Sequence, residues 1–457
     1  MMIAIAALVW GVGAAQARTG AAEVRYEPTS FEVAGVGRVE AELGRFRVPE
    51  DRRQPDGRQI ELVFGRLKST AAVPGPPIVY LDGGPGGSGV GVARIPSYYR
   101  LFDALRAVGD VILLSQRGTG LSSPRLGCPP VELPPAFFSS VDTMTAALVG
   151  PTDRCVAAWR DKADLSAYTT EASADDVEDL RRALGAPRLH LLGFSYGTHL
   201  ALAVMRRHPD AVSRVVLAGV EGPDHTLKLP STYDAQLARL AARAPAASPD
   251  LVGLTRQVLA RLEATPVTVS IPAAGDRPAR SLTIGADGLR YLLRRDIGDT
   301  NDTEALVRMI RDAHAGDYEL IGRFAARRFD ELSRGGNLMG MAMDCASGAS
   351  PERLARVRRE EPDSLLGAMT NWPFPDVCAR IGVTALPMSY RTPIVSNAPT
   401  LLISGTLDSN TPPYQAEEVR WGFPNATHLV VDGAGHESTL PRPEVQRAIV
   451  GHFATVP

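Results

Sequence analysis

A serine flanked by two glycines is the first feature of this sequence that could do chemistry. The pentapeptide at 193–197, "GFSYG", has the spacing G-x-S-x-G; it follows the apolar run "LHLL" and precedes the amphipathic stretch "THLALAVMRR". A sharp turn between a buried strand and a helix raises a serine hydroxyl above a sheet, and glycines on both sides avoid a clash. We therefore predict that Ser195 is a nucleophile.

A nucleophilic serine needs a general base, and the base needs a carboxylate that orients it. Two later loops offer these groups, each after an apolar run: Asp408 in "LLISGTLDSN" and His436 in "HLVVDGAGHES". The order Ser, Asp, His is one of those in which such triads occur along a chain. A rival acid, Asp432, stands only four residues before His436, where it would struggle to reach behind the imidazole. We predict a triad of Ser195, Asp408 and His436.

Four other histidines have positions that favour structural roles. His190 and His428 lie within apolar, strand-like runs, and His199 and His208 lie on the stretch that follows Ser195. None of them follows a strand, which is where a doubly wound sheet displays its catalytic groups.

The glycine-rich stretch "PIVYLDGGPGGSGVG" has two interpretations. Gly84, Gly86 and Gly89 match the dinucleotide-binding pattern G-x-G-x-x-G, and Asp110 follows at about the distance at which that pattern places its acid. However, Pro85 removes one N–H from the motif, and a dinucleotide site needs such groups to hold pyrophosphate. Asp110 also begins the next strand-like run, whereas the pattern needs an acid at the end of it. We therefore reject a dinucleotide site.

The second interpretation of this stretch is an oxyanion hole. In such a site, a backbone N–H from a glycine-rich loop joins the N–H of the residue after the nucleophile. The donors here would be Gly83, or Gly84 in its place, together with Tyr196. Because glycines let the backbone approach a substrate carbonyl closely, we favour this interpretation over a merely structural turn.

Alternating strand-like and helix-like stretches must position these residues. "VEAELGRFRVPE" and "RQIELVFGRLKS" predict a β-hairpin. "PIVYL", "DVILLS", "RLHLLGFS" and "VSRVVLAGV" predict buried strands, and "ADDVEDLRRALG" predicts a helix with Ser173 as its N-cap. Strands that alternate with helices predict an α/β fold with a doubly wound, mostly parallel sheet.

Residues 226–385 break this alternation. They show helical periodicity, and only "VTVSIP" and "SLTI" look extended. Strand signals return in "APTLLISG" and "ATHLVVDGAG". We predict a mainly helical cap, inserted between a first core part at 18–225 and a second at 386–457. The cap should lie over the edge of the sheet where ligands bind.

Composition excludes several classes of protein. The chain has 457 residues, a formal net charge of −2 and 44% hydrophobic residues, so it can bury a large core. This charge gives no electrostatic case for a nucleic-acid partner or an anionic membrane. Neither C-x-x-C nor a Cys/His cluster occurs, and we predict no metal site and no organic cofactor.

The first residues of the chain predict export. Residues 1–17, "MMIAIAALVWGVGAAQA", form an uncharged apolar run that ends in an A-x-A cleavage pattern. No Lys or Arg precedes the run, and a buried N-terminal helix is the alternative. We predict a signal peptide and no stable membrane insertion after its removal, because the run is too short and Gly/Ala-rich for a comfortable span.

The four cysteines suit an oxidising compartment. They allow three connectivities, and free buried thiols are a further alternative. The short-range connectivity joins Cys128 to Cys155 and Cys345 to Cys378, and it closes loops of 27 and 33 residues.

Five motifs together carry a resemblance to a known family. In chain order they are "GGPGGSG", "QRGTGLSSP", "GFSYGTHLAL", "GTLDSNTPP" and "GAGHES". They resemble the prolyl and tripeptidyl aminopeptidase group of α/β-hydrolases over most of residues 35–225 and 385–457. The resemblance implies an α/β-hydrolase fold with an inserted, mainly helical cap, and a serine exopeptidase without a cofactor. It also implies the short-range pair of disulfides, which is typical of the exported tripeptidyl-type members.

Two residues depart from the pattern of this group. Asp82 stands where prolyl aminopeptidases carry His before "GGPG", which loosens any claim of a proline preference. Ser115 stands where most members carry Asp before "QRG", in a loop that we expect to be structural.

The leading prediction is therefore an exported serine exopeptidase, periplasmic or secreted, that acts on peptides with a free N-terminus. A secreted carboxylesterase with the same triad and a non-catalytic binding protein are the alternatives, because a fold does not fix a function.

Glu221, in "LAGVEGPDHT" beyond the strand that follows the nucleophile helix, could bind the α-ammonium of a substrate. A helix cap or a salt bridge within the protein is the alternative role for this acid.

Overall fold

A computed structural model of the chain describes residues 23–243, 250–273, 278–298 and 303–455. The predicted signal peptide lies outside these residues. The strands are β1 (Arg25–Val33), β2 (Gly37–Pro49), β3 (Gln59–Leu67), β4 (Ile78–Leu81), β5 (Val111–Ser115), β6 (Leu189–Phe194), β7 (Val212–Ala218), β8 (Val267–Ile271), β9 (Arg280–Ile284), β10 (Thr400–Gly405) and β11 (Ala426–Val431).

Nine of these strands form one sheet in the order β1-β2-β3-β5-β4-β6-β7-β10-β11. From β5 to β11 all neighbours are parallel, whereas β1, β2, β3 and β5 pair antiparallel. The predicted hairpin is formed by β2 and β3. The strand β1 was not predicted from the sequence. It is an edge strand that contains Pro28, and proline is tolerated at a sheet edge but weakens a strand signal.

Helices lie on both faces of the sheet and in the insert. They are α1 (Gly89–Val92), α2 (Pro96–Leu105), α3 (Val141–Trp159), α4 (Thr170–Ala183), α5 (Tyr196–Arg207), α6 (Pro230–Arg243), α7 (Leu251–Ala264), α8 (Ala286–Asp296), α9 (Thr303–Ala315), α10 (Glu319–Ser333), α11 (Leu338–Ser347), α12 (Pro351–Glu360), α13 (Cys378–Ile381), α14 (Pro413–Arg420) and α15 (Pro443–Ala454).

Alternate residues of the central strands point to opposite faces of the sheet. In β4, Val79 belongs to a hydrophobic cluster with Leu180 of α4 and Leu200 of α5. Its neighbour Tyr80 belongs to a second cluster on the other face, with Phe102 of α2. The continuous apolar runs of these strands follow from this burial on both faces.

Two helix boundaries differ from the prediction. The α4 helix begins one turn earlier than expected, because the Thr169 side chain accepts the N–H of Ala172 and caps it, so Ser173 lies inside the helix. The long periodic stretch after residue 303 is two helices, α9 and α10. They are separated at Gly316, whose φ of 96° favours glycine and ends a helix.

The insert has its own hydrophobic core. The cluster gathers residues of α6 to α10, such as Leu237, Leu289 and Phe324, around the two-stranded antiparallel sheet β8–β9. It also contains Phe137 and Phe138, which precede the nucleophile in the chain. The core of the insert is therefore not confined to residues 226–385, and the segment before α3 contributes to it.

Two disulfides connect elements of the insert and its surroundings. Cys128 bonds Cys155 on α3, and Cys345 on α11 bonds Cys378 at the start of α13, which is the short-range connectivity. Across the described ranges, none of the helices combines the length and the apolar character that crossing a membrane requires.

Candidate active site

Four loops bring the predicted site residues to one edge of the sheet. The glycine-rich loop follows β4, Ser195 follows β6, Asp408 lies beyond β10, and His436 lies beyond β11. Since these four strands are parallel, their carboxyl ends open at the same edge, where ligands of such sheets bind.

The turn at Ser195 has the strained backbone that the motif requires. Its φ of 54° makes it the one non-glycine residue with positive φ in the part of the chain that the structure describes. A Cβ on Gly197 would lie 1.9 Å from the carbonyl oxygen of Leu81, and one on Gly193 would lie 2.6 Å from that of Gly197. Both flanking positions therefore need glycine, and the strain is stored where the serine side chain must leave the sheet.

Ser195, His436 and Asp408 are joined by hydrogen bonds. The Ser195 hydroxyl lies 2.9 Å from Nε2 of His436. On the other side of the ring, Nδ1 of His436 lies 2.8 Å from Oδ2 of Asp408. A carboxylate can only accept, so Nδ1 carries the proton and Nε2 is free to accept the proton of the serine.

The loop around Asp408 keeps its carboxylate ionised. Its Oδ1 accepts the N–H groups of Asn410 and Thr411 at 2.8 and 2.9 Å, and its Oδ2 accepts the Thr411 hydroxyl at 2.6 Å. Burial alone would raise the pKa of Asp408, but the charge of His436 and these hydrogen bonds lower it. Burial opposes protonation of His436, yet the charge and hydrogen bond of Asp408 raise its pKa.

The rival acid and the other histidines lie elsewhere. The side chain of Asp432 is 78% exposed and pairs with Arg243 and the Thr406 hydroxyl.

The other four histidines contact groups other than Ser195. His190 stacks on Phe453. The remaining three imidazoles form hydrogen bonds: His199 with the Gly222 carbonyl, His208 with Asp175, and His428 with Glu417.

The glycine-rich loop approaches the nucleophile directly. A Cβ on Gly83 would lie 2.8 Å from Cβ of Ser195, so only glycine fits at this position. The N–H of Gly83 stabilises the ionised carboxylate of Asp82. Neither this N–H nor that of Gly84 donates to a backbone carbonyl among the described residues, so both glycines stay candidate oxyanion donors beside Tyr196.

Asp82 lies inside this loop. Its carboxylate accepts the Tyr80 hydroxyl at 2.9 Å and is stabilised by the N–H groups of Gly83 and Ser88. Burial nevertheless raises the pKa of Asp82 to about 6. The acid that replaces the histidine of the resembling group thus stabilises the loop conformation.

Residues that the dinucleotide interpretation would use have other roles. The helix after the loop, α1, has only four residues. Asp110 accepts Nε of Arg66 and the N–H of Ser69, both at 2.8 Å. Ser115 bonds the Ser88 hydroxyl at 3.0 Å, as expected for a structural position.

The insert makes hydrogen bonds to the loops that carry Asp408 and His436. The N–H of His436 donates to the carbonyl of Gly298, just beyond α8, at 3.0 Å. The amide Nε2 of Gln236, on α6, donates to the carbonyl of Leu407, the residue before Asp408. The two loops therefore depend on the insert for their position.

A cavity of about 450 Å³ opens beside the glycine-rich loop. Gly84 and Pro85 form part of its wall, and the rest comes mainly from the insert. Its charged lining residues are Glu221, Lys228, Arg294, Arg295, Glu331 and Asp344.

Glu221 forms an ion pair within this wall. Its Oε2 lies 2.6 Å from Nζ of Lys228, which also donates to the carbonyl of His225 at 3.0 Å. Burial would raise the pKa of Glu221, but the charge of Lys228 lowers it. The structure thus contains the internal salt bridge that the sequence left open as the alternative role for this acid.

Asp344 is a functional candidate that the sequence analysis missed. Its carboxylate lines the same cavity, and it has no hydrogen bond or ion pair with any residue that the structure describes. Burial, followed by the charge of Glu221, raises its pKa well above the usual range. A signal was present, because Asp344 is the one charged residue in the otherwise apolar run "LMGMAMDCA".

Comparison with known proteins is consistent with this architecture. The model of the alpha/beta hydrolase fold family matches residues 76–443. The chain belongs to this family.

Several curated proteins are similar to part of the chain. A tripeptidyl aminopeptidase of Streptomyces coelicolor is 30% identical over 191 residues, 40% of this chain and 35% of that protein. The serine protease Hip1 of Mycobacterium bovis is 29% identical over 193 residues, 40% of this chain and 36% of that protein. A probable proline iminopeptidase of Leptolyngbya boryana is 30% identical over 146 residues, 32% of each chain. The chain thus matches about a third of the length of these relatives, and the resemblance to the aminopeptidase group is confirmed.

Proposed function

We propose that this protein is a serine exopeptidase that removes residues or short peptides from free N-termini. The observation that carries the proposal is the carboxyl group of Asp344, which has no side-chain partner among the described residues and lines a cavity whose wall includes the loop that touches Ser195. Hydrolysis of a neutral ester needs no such group, whereas a peptide N-terminus is a cation that a carboxylate can bind. The names of the relatives support the same class of substrate.

In the proposed reaction, Ser195 Oγ attacks the acyl carbon while its proton passes to Nε2 of His436. Asp408 holds the ring and stabilises the imidazolium. The N–H groups of Tyr196 and of Gly83, or Gly84 in its place, face the oxyanion. Tyr196 begins α5, so its N–H has no partner within the helix. His436 then gives its proton to the leaving amine, and water, activated by the same imidazole, cleaves the acyl-enzyme.

The free amine would bind at Asp344. Burial and the charge of Glu221 raise the pKa of Asp344. An arriving ammonium group would favour the charged form of Asp344 and gain a charge-assisted hydrogen bond. Glu221 adds negative potential nearby, although Lys228 offsets its charge. Asp344 therefore takes the role that the sequence analysis gave to Glu221.

Export is part of the proposal. Two disulfides support an oxidising compartment, since such bonds form and persist there. We propose a periplasmic or secreted protein.

The experiment compares substrates that differ only at the amine. Aminoacyl and short peptidyl arylamides would be assayed with a free and with an acetylated N-terminus, beside a simple acyl ester. Turnover of the free-amine arylamides without turnover of their acetylated counterparts supports the exopeptidase, because the free amine is then required. Turnover of the ester alone would favour the carboxylesterase, and equal turnover of free and acetylated arylamides would show that the amine is not recognised. Absence of fluorophosphonate labelling at Ser195 would favour a binding protein.

A further inference from the structure

The charges that line the cavity beside the glycine-rich loop are not all paired. Glu221 pairs with Lys228 at 2.6 Å. Glu331 pairs with Arg295 at 3.3 Å. The remaining charged lining groups, the carboxylate of Asp344 and the guanidinium of Arg294, form no ion pair within the described residues. Among the described residues, the cavity thus offers one carboxyl group and one guanidinium that form no ion pair.

The guanidinium of Arg294 is only partly used by the protein. Its Nε donates to the carbonyl of Thr370 at 3.1 Å, and its two Nη groups have no partner among the residues that the structure describes. Its positive charge acts on Asp344, yet no ion pair joins the two groups. A guanidinium with two free Nη groups suits a carboxylate better than any neutral group.

The end of α8 contacts the loop that carries His436. The carbonyl of Gly298, just past the end of α8, accepts the N–H of His436 at 3.0 Å. Arg294 stands about one helical turn before Gly298 along the chain. Arg294 and Asp344 line one cavity together with Gly84 of the glycine-rich loop, so a substrate residue in this cavity can contact both side chains.

We propose that the enzyme selects peptides whose N-terminal residue carries an acidic side chain. Asp344 binds the α-ammonium, and Arg294 binds the side-chain carboxylate. The inference rests on the proposed exopeptidase function and adds the class of residue that it prefers.

Other side chains fit this cavity less well. When a neutral residue binds, the guanidinium of Arg294 loses contact with water and gains no counter-ion, so the free-energy cost of its desolvation is not offset. A basic residue meets both Arg294 and Lys228, and like charges in a confined site disfavour binding. The preference would therefore come from attraction of acidic side chains and repulsion of basic ones.

The test uses arylamides of one to three residues that differ only in Glu, Gln or Lys at the N-terminus. We expect wild-type kcat/KM to be about tenfold or more higher for Glu than for Gln, as for a hydrogen bond to a charged group. Arg294→Gln should remove this ratio while Gln substrates change little. Arg294→Lys should keep part of it, because the charge remains.

Arg290→Gln is the matched control. Arg290 lies one turn earlier on the same helix and donates its Nε to the carbonyl of Leu365 at 3.2 Å, much as Arg294 does to Thr370. It does not line the cavity and pairs with Asp287 at 2.8 Å. This variant should retain the preference for Glu.

The outcomes separate this inference from the proposed function. Wild-type turnover of Gln as fast as Glu would overturn the inference alone. An equal loss for all substrates in Arg294→Gln would show that Arg294 binds the peptide backbone, and it too would overturn the inference. Failure to hydrolyse any arylamide, with the ester still cleaved, would reject the exopeptidase and the inference with it. The Arg294→Glu variant should hydrolyse the Lys arylamide faster than the Glu arylamide. Circular dichroism would verify that this variant is folded.

Discussion

The carboxylate of Glu221 lies 2.6 Å from the ammonium of Lys228, and both side chains are only 10% exposed. Removing one partner of such a pair leaves the other charge buried and uncompensated. Loss of either partner should therefore destabilise the wall of the cavity.

Glu221→Gln should lower the free energy of unfolding by about 3–5 kcal/mol, because Lys228 loses its counter-ion. Denaturant unfolding measures this change. The double variant Glu221→Gln, Lys228→Met should recover much of the loss, since neither charge remains. A single variant as stable as the wild type would show that the pair contributes nothing to the fold.

Asp344→Asn should reduce kcat/KM for free-amine peptides by about 30-fold or more, the cost of losing one partner of a buried charge pair. Hydrolysis of a neutral acyl ester should scarcely change. Steady-state kinetics on both substrates would verify this. A parallel loss on the ester would show that Asp344 supports the loops and does not bind the amine.

Ser195→Ala should leave the fold intact and reduce kcat by about 10⁴-fold or more. The variant loses the nucleophile of the acyl-enzyme but keeps the cavity and the oxyanion donors. Circular dichroism and a turnover assay on a preparation free of contaminating hydrolases would establish both points. Retention of more than a few per cent of the wild-type kcat would contradict the assigned nucleophile.

Asp408→Asn should reduce kcat by about 10⁴-fold, because an amide can hold the imidazole in the wrong tautomer. Asp432→Asn is the matched control, since Asp432 is the rival acid of the same sequence region and contacts Arg243 at the surface. It should retain nearly full activity. A larger effect at Asp432 would reverse the choice between the two carboxylates.

The pH dependence should distinguish amine substrates from esters. His436 must be neutral to accept the serine proton, and its raised pKa moves the loss of activity at low pH to values above the usual 6.5. For free-amine substrates, Asp344 adds to this loss, because protonation at falling pH removes the charge that binds the ammonium.

At high pH the two classes of substrate should diverge. Peptide α-amino groups lose their charge near pH 8, so kcat/KM for peptides should fall there, while that for an ester should not. Profiles of kcat/KM against pH for both substrates measure the difference. A common alkaline decline would mean that the enzyme, and not the amine, titrates.

The sequence alone determined the scaffold of this site. The patterns that identify the site residues are local. Ser195 lies between a strand-like and a helix-like stretch, and Asp408 and His436 each lie in a loop after an apolar run. In a parallel sheet, the carboxyl ends of such strands meet at one edge. Periodicity over a few residues is enough to identify these elements, and the burial of β6 and β10 on both faces explains why their apolar runs were so clear.

Tertiary structure decided which charges are free. Glu221 and Asp344 are separated by more than a hundred residues and both line one cavity, but of these two acids only Glu221 forms an ion pair with a described residue, Lys228. The pairing of a charge depends on which side chains the fold brings within a few ångströms, and sequence spacing carries no information about such distances between remote segments.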